Sequence, residues 1–285
     1  MRDWLLTLAA ACVCACGKDA AAPRLAPRDA AVVDAGLPAH QAYADLGAAL
    51  IAIIPADARV VGIGELHART DLAAVRSSLA AFTQALPAIG DRISDLVLET
   101  WITAPACGTA AVQATARVES TVKRPEATKS EIADLAAAAR AAGIQSHAMT
   151  LTCADYAVIA PPDHDIDAAQ LLTVTTRELT RIATSAVRHR DREASHRPWI
   201  AVYGGALHND RFPDDAVAEW SYAAEIDRVT GDHFVEIDII VPALAEADPA
   251  AKRQPWFPLT RAPRDPRAPV LVWPRGERSF VVVLP

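Results

Sequence analysis

The chain has 285 residues, 52% of them apolar, with a formal charge of −7 and a pI near 5.6. That length and apolar content suit one domain around a sizeable buried core. The acidic balance excludes nucleic acid as a natural partner, which would call for a basic face. The one basic stretch, RHRDREASHR at 188–197, is interrupted by acids and alanine and reads as a solvated helix end.

The chain opens on MRDWLLTLAAACVCACG, apolar from Trp4 to Ala15 and too short to span a bilayer, which reads as a signal peptide. VCAC at 13–16 approximates a lipobox, so residues 1–16 form a lipoprotein signal and Cys16 is the lipidated residue. Cys12, preceded by AAA, is the rival, and ordinary secretion or an uncleaved anchor are the alternatives. Residues 17–40, rich in alanine and proline and without periodicity, read as a tether. The folded domain is then 41–285, held in the cell envelope by a lipid anchor, with the outer membrane as the expected site. Export leaves Cys107 and Cys153 as an even pair in an oxidising compartment. They are expected to form a disulfide that staples a surface excursion, the alternative being two unrelated buried thiols.

Within the domain the apolar period alternates between 3.6 and 2. QAYADLGAALIAII (41–54) is helical in spacing and stopped by Pro55; ARVVGIG (58–64) is a buried strand. TDLAAVRSSLAAFTQAL (70–86) predicts an amphipathic helix, SDLVLET (94–100) a second buried strand, and 101–128 an irregular excursion. KSEIADLAAAARAAG (129–143) predicts a helix capped by Ser130 and ended by Gly143. IQSHAMT (144–150) predicts a third strand, 165–193 a long helix, and RPWIAVYGG (197–205) a fourth strand. DHFVEIDIIVPA (232–243) and RSFVVVLP (278–285) close the series as strands, joined by a proline-rich segment with no clear helix. Strands alternating with helices imply one α/β domain, its mostly parallel sheet flanked by helices, with an antiparallel edge strand near the C-terminus.

Ligands of open α/β sheets bind beyond the carboxyl ends of the strands, so the residues at those ends are the candidates for chemistry. The first strand ends in Glu65 and His67, which flank Leu66 and project to one side if the strand continues. The second ends in Glu99, the third carries His147, the fourth runs through two glycines into His208, Asn209 and Asp210, and the fifth carries Glu236 and Asp238. GELH (64–67) and GALH (205–208) share the spelling Gly-x-x-His, in which glycine permits a sharp turn and close backbone approach. His67, Glu99 and His208 would make a three-ligand metal site with an open position, and Glu65 a general base or fourth ligand.

VVGIGELHART, DLVLETW and AVYGGALHND, in this order and at these strand ends, resemble the Tiki/TraB, erythromycin-esterase and ChaN superfamily, over roughly residues 45–240. That resemblance implies that His67, Glu99 and His208 line a shared cleft with Glu65 beside them; Glu65 and His67 are the catalytic candidates. The Tiki branch implies metal-dependent peptidase activity, the esterase branch ester hydrolysis, and the ChaN branch an iron-regulated lipoprotein that binds haem. The Glu-x-His spacing here is one residue tighter than in the esterase-like form. The leading expectation is a metal-assisted hydrolase of a small-molecule or peptide substrate, holding a divalent metal ion. The second is a haem- or iron-binding lipoprotein without turnover, and the third a scaffold whose cleft has no chemistry.

Other motifs have plainer readings. PPDHDIDAAQ (161–170) is a loop whose acids favour the next helix N-terminus. A Gly-x-Ser-x-Gly elbow is missing, and VVGIGELH lacks the third glycine of a dinucleotide fingerprint. Tyr203, Trp256 and Trp273 are read as packing aromatics.

Overall fold

The computed structural model describes residues 36–193 and 196–285. The signal segment, Cys12, Cys16 and most of the tether lie outside the described residues. Among the described residues no helix is long and apolar enough to cross a membrane.

Eight strands form one sheet: β1 (Gln41–Tyr43), β2 (Val60–Glu65), β3 (Ile93–Trp101), β4 (Gln145–Met149), β5 (Trp199–Gly205), β6 (Phe234–Ile240), β7 (Val270–Gly276) and β8 (Ser279–Val283). Their order is β1-β7-β8-β6-β2-β5-β3-β4. The five pairings from β8 to β4 are parallel, while β1–β7 and β7–β8 are antiparallel. The protein is therefore a single α/β domain with a mostly parallel sheet and an antiparallel edge near its C-terminus.

The helices are α1 (Leu46–Ile53), α2 (Ser78–Ile89), α3 (Gly108–Val122), α4 (Ala127–Ala141), α5 (Cys153–Ile159), α6 (Ala168–Glu193), α7 (Ala206–Asn209), α8 (Ala223–Thr230) and α9 (Pro242–Ala247). Strand side chains alternate between the two faces, as the period of two requires. Val61, Ile63, Ala201, Tyr203, Val235 and Ile237 pack under α1, α2 and α4. Val60, Val97, Ile200, Val202 and Phe234 pack under α6 and α8. Both faces are buried, which is why these strands read as continuous apolar runs.

Several boundaries differ from the sequence expectation, each for a local reason. The helix expected at 41–54 begins only at Leu46, where Asp45 accepts the Ala48 N–H as N-cap; the residues before it pair with β7 as β1. The helix expected at 70–86 is a 3₁₀ turn at Thr70–Leu72 followed by α2, which starts behind the Ser77 cap and takes Pro87 into its last turn. The irregular excursion contains α3, and the proline-rich segment contains α9 and β7. In β7 the sequence VLVWPRG hides its strand behind Pro274, which lies past the stretch paired with β1 and beside a register shift against β8, where a missing N–H is tolerated. The hairpin into β8 turns through Arg278 at φ 57°.

The excursion after β3 carries its own small core, in which Ala111, Ala114 and Val118 of α3 meet Leu151, Tyr156 and Ile159. A disulfide joins Cys107, just before α3, to Cys153 at the start of α5. Because it closes a loop across 46 residues of chain, replacing both cysteines with serine should remove about 2–4 kcal/mol of stability. Hydrogen exchange should show the loss concentrated in 108–122, the helix that starts directly behind Cys107; unchanged protection there would contradict this.

Candidate functional site

A cleft of about 560 Å³ opens beyond the carboxyl ends of β2, β3, β5 and β6. Glu65, His67, Glu99 and His208 all line it, so the structure brings the four strand-end candidates together. His147 does not join them: its Nε2 lies 2.7 Å from Asp95 Oδ1, lower in the sheet between β4 and β3.

Glu65 is 6% exposed and is held from both sides. Tyr203 donates to its Oε2 at 2.6 Å, and its Oε1 lies 2.9 Å from His67 Nδ1. A carboxylate at that position fixes the tautomer, since Nδ1 must carry the hydrogen and Nε2 the lone pair. Burial and the adjacent Glu65 push the Tyr203 phenol well above its usual range, so it stays a donor.

Glu99 comes from the opposite face of the sheet and lies over two glycines of β5. The Gly205 N–H donates to its Oε2 at 2.5 Å, and a Cβ on Gly204 would stand 2.5 Å from the same oxygen. Glycine at 204 is therefore a spatial requirement. Burial alone would raise the Glu99 pKa, but His67, His208 and Arg124 hold it well below the ordinary carboxylate range.

The residue that sequence reasoning missed is Arg124. Its Nη2 lies 2.7 Å from His67 Nε2 and 3.2 Å from Glu99 Oε1. The chain brings it there by ending α3 on Lys123 in the left-handed region at φ 49°, while Thr70 bonds the Lys123 carbonyl through both N–H and hydroxyl, at 3.1 and 2.5 Å. Nothing in KRPEATK marks this arginine; only the tertiary turn does.

His208 is 3% exposed, with Nδ1 2.9 Å from both Thr176 Oγ1 and the Trp220 carbonyl. Thr176 spends its own proton on that carbonyl, so His208 Nδ1 carries hydrogen. Burial lowers its pKa, and the neutral ring is the form at neutral pH. His67 moves the other way: burial and Arg124 lower its pKa, yet Glu99 and Glu65 outweigh them and it ends raised.

These positions decide the fit of a divalent ion. The point between His67 Nε2 and Glu99 Oε1, 3.5 Å apart, is where a shared metal would bind, and the Arg124 guanidinium already bonds both atoms. Among the described residues no three His, Cys, Asp or Glu side chains are arranged to hold a metal ion. As placed, the Arg124 guanidinium occupies the space a shared ion would take between His67 and Glu99. An axial haem ligand needs an imidazole nitrogen without a partner, and both nitrogens of His67 face one.

No family model and no curated protein sequence matches this chain. A solved structure, that of the type III effector HopBA1, aligns over 79% of this chain and 87% of its own, at 15% identity and a TM-score of 0.39. A likeness at that level bears on neither the fold nor the site.

The two imidazoles should titrate on opposite sides of 6.5, His67 above and His208 below. Proton NMR of the ring resonances, assigned with His67→Ala and His208→Ala, measures this directly; both falling on one side would contradict the geometry.

Proposed function

We propose that the cleft is the active site of a hydrolase acting on a carbonyl substrate, with His67 as general base and Arg124 as the cation at the developing negative charge. The supporting observation is the chain Tyr203–Glu65–His67, in which a buried carboxylate orients an imidazole whose Nε2 faces the cleft. A base aligned by a third group is the recurring arrangement for activating a nucleophile.

In this reading Arg124 moves off His67 Nε2 onto the substrate carbonyl, and a water that takes its place gives its proton to Nε2 while its oxygen bonds the carbonyl carbon. The carbonyl electrons move onto oxygen, where Arg124 is positioned to donate; its Nε–H is buried without a partner among the described residues. Collapse of the adduct expels the leaving group, which takes the proton back from the His67 imidazolium. Glu99 holds Arg124 in place, and the Glu65 carboxylate supports the imidazolium while it exists. The lipoprotein signal read at 1–16 supports an envelope location with a lipid anchor.

The test is a panel of activated esters and peptide amides, run on the full chain after chelation and again with Mn²⁺, Co²⁺ and Zn²⁺. Hydrolysis should persist after chelation and fall about 10²–10⁴-fold in His67→Ala. Arg124→Ala should lose about 10²–10³-fold in kcat. Activity that needs an added divalent ion and ignores Arg124→Ala would overturn the assignment. A Soret shift with haem that disappears in His67→Ala, without turnover, would favour the haem carrier.

The pH dependence has a definite sign. The reactive form is neutral His67, whose pKa is raised, so kcat/KM should climb as pH rises through a value above 6.5. Glu99 is the larger of the two carboxylates' contributions to that shift, so Glu99→Gln should move the acidic limb to lower pH. A limb that stays in place would remove His67 as the titrating base.

A further inference from the structure

The same cleft holds a second polar cluster that this hydrolysis does not use. Gly64 of β2 is in register with Gly204 of β5 on one side and Asp238 of β6 on the other. Register partners in parallel strands point to one face, so these three positions form a row across the sheet beneath α6. Glu99 covers Gly204 in that row, and Asp238 covers Gly64. A Cβ on Gly64 would overlap Asp238 Oδ1 outright and stand 2.7 Å from Asn209 Oδ1. Two carboxyls thus lie over adjacent glycines, on strands about 4.8 Å apart.

Their partners differ. Glu99 has Arg124 and a backbone N–H. Asp210 and Glu236 share Arg275, whose Nη1 lies 2.6 and 3.0 Å from them and whose Nη2 reaches the Phe212 carbonyl at 3.0 Å. Asp238 has only the Asn209 amide, at 3.2 Å. One arginine therefore pairs with two of these three carboxyls, and Asp238 has no paired cation among the described residues. Asn209 is 1% exposed, yet its Oδ1 finds no hydrogen-bond partner among the described residues. A buried acceptor without a donor, beside a carboxyl without a cation, calls for a ligand that supplies both. The cleft as a whole agrees, since eight carboxyl side chains line it against three arginines and one lysine.

We propose that Asp238 and Asn209 form a subsite for the ammonium group of an amine-bearing ligand. A primary ammonium brings the positive charge that Asp238 lacks and N–H donors for both Asp238 and Asn209 Oδ1. It fits better than a divalent ion, which would need a convergent ligand set that the described residues do not form. The subsite rests on its own geometry and holds whether or not the cleft turns a substrate over.

Binding is coupled to a proton. Burial, Glu236 on the same strand and Asp210 after β5 push the Asp238 pKa well above the carboxylate range, against the weaker pull of Asn209 and of Arg275 on β7. Tyr222 also faces the cluster and stays neutral, its own pKa raised by burial and by Glu99 and Asp238. Asp238 accordingly keeps its proton to higher pH than an ordinary carboxyl does, and an arriving ammonium displaces that proton. Affinity should tighten as pH rises through that raised pKa, with proton release on binding at pH values below it.

The experiment is calorimetric titration of the full chain with n-butylamine, using n-butanol and butyrate as neutral and anionic matches, at physiological ionic strength. Saturable butylamine binding should release protons on the acidic side of its pH range, read from two buffers of different ionisation enthalpy, and this reading needs no variant. Asp238→Asn should weaken it about tenfold or more, with circular dichroism and Tm confirming the fold. Asp214→Asn, which removes an exposed carboxyl from the same cleft, should change it less than about twofold, because a screened surface charge acts weakly. No butylamine binding, equal losses in the two variants, or butanol or butyrate binding as tightly would each overturn the subsite. A failed hydrolase screen would leave these readings unaffected.

Discussion

Gly64, Gly204 and Gly205 stand at the ends of β2 and β5, and their missing Cβ atoms are what let side chains from neighbouring strands lie down over the sheet. Glu99 arrives from the β3 side and Asp238 from the β6 side, each filling space that any other residue type would occupy. His67 lies in the same position relative to Gly205, where a Cβ would come within 2.9 Å of its Nε2. The alternation of a strand then separates the remaining partners. Tyr203 and Glu65 belong to the face under α1, α2 and α4, whereas Glu99, Asp238 and His208 belong to the face under α6 and α8. His67, beyond the strand end, is where the two faces meet. An alanine at Gly204 would leave the sheet pairing possible and evict the carboxylate.

Charge inside this cleft is arranged by pairing, with little help from solvent. Glu65 answers to Tyr203 and His67, Glu99 to Arg124 and Gly205, and Asp210 and Glu236 to Arg275. Removing any one partner leaves a buried charge whose desolvation is no longer offset, which is more damaging than never having had the pair. Arg124 is the most exposed to this logic. It is brought in on a peripheral module braced by a disulfide, and it stands between two groups that would otherwise compete for a proton.

Much of this was legible in the sequence, because strands buried on both faces announce themselves and any polar residue at their ends is conspicuous. Glu65, His67, Glu99 and His208 were visible for that reason, and the structure gathers all four. Arg124 was not, since it follows a helix in an excursion without strong periodicity and its role depends on the left-handed turn at Lys123. Tyr203 was read as a packing aromatic; its ring does stack on Phe82, but its hydroxyl sits on Glu65. Strand β7 was obscured by Pro274 and by the prolines around it, and β1 is too short to show a period. The donor set of a metal site was legible as residue types. What occupies the space between those donors is a question of geometry, and a string of letters does not encode it locally.

The topology has a consequence for how the site comes into being. Its pairs are far apart in the chain: 138 residues separate Tyr203 from Glu65, 106 separate Gly205 from Glu99, and 57 separate Arg124 from His67. Loop closures of that length form late and slowly. These pairs run from Glu65 to Gly205, so a product cut between β2 and β5 would keep helices and lose the Tyr203–Glu65 pair. The ionisation of His67 is in this sense a reporter of assembly, silent until β3 and the Arg124 turn have docked beside β2.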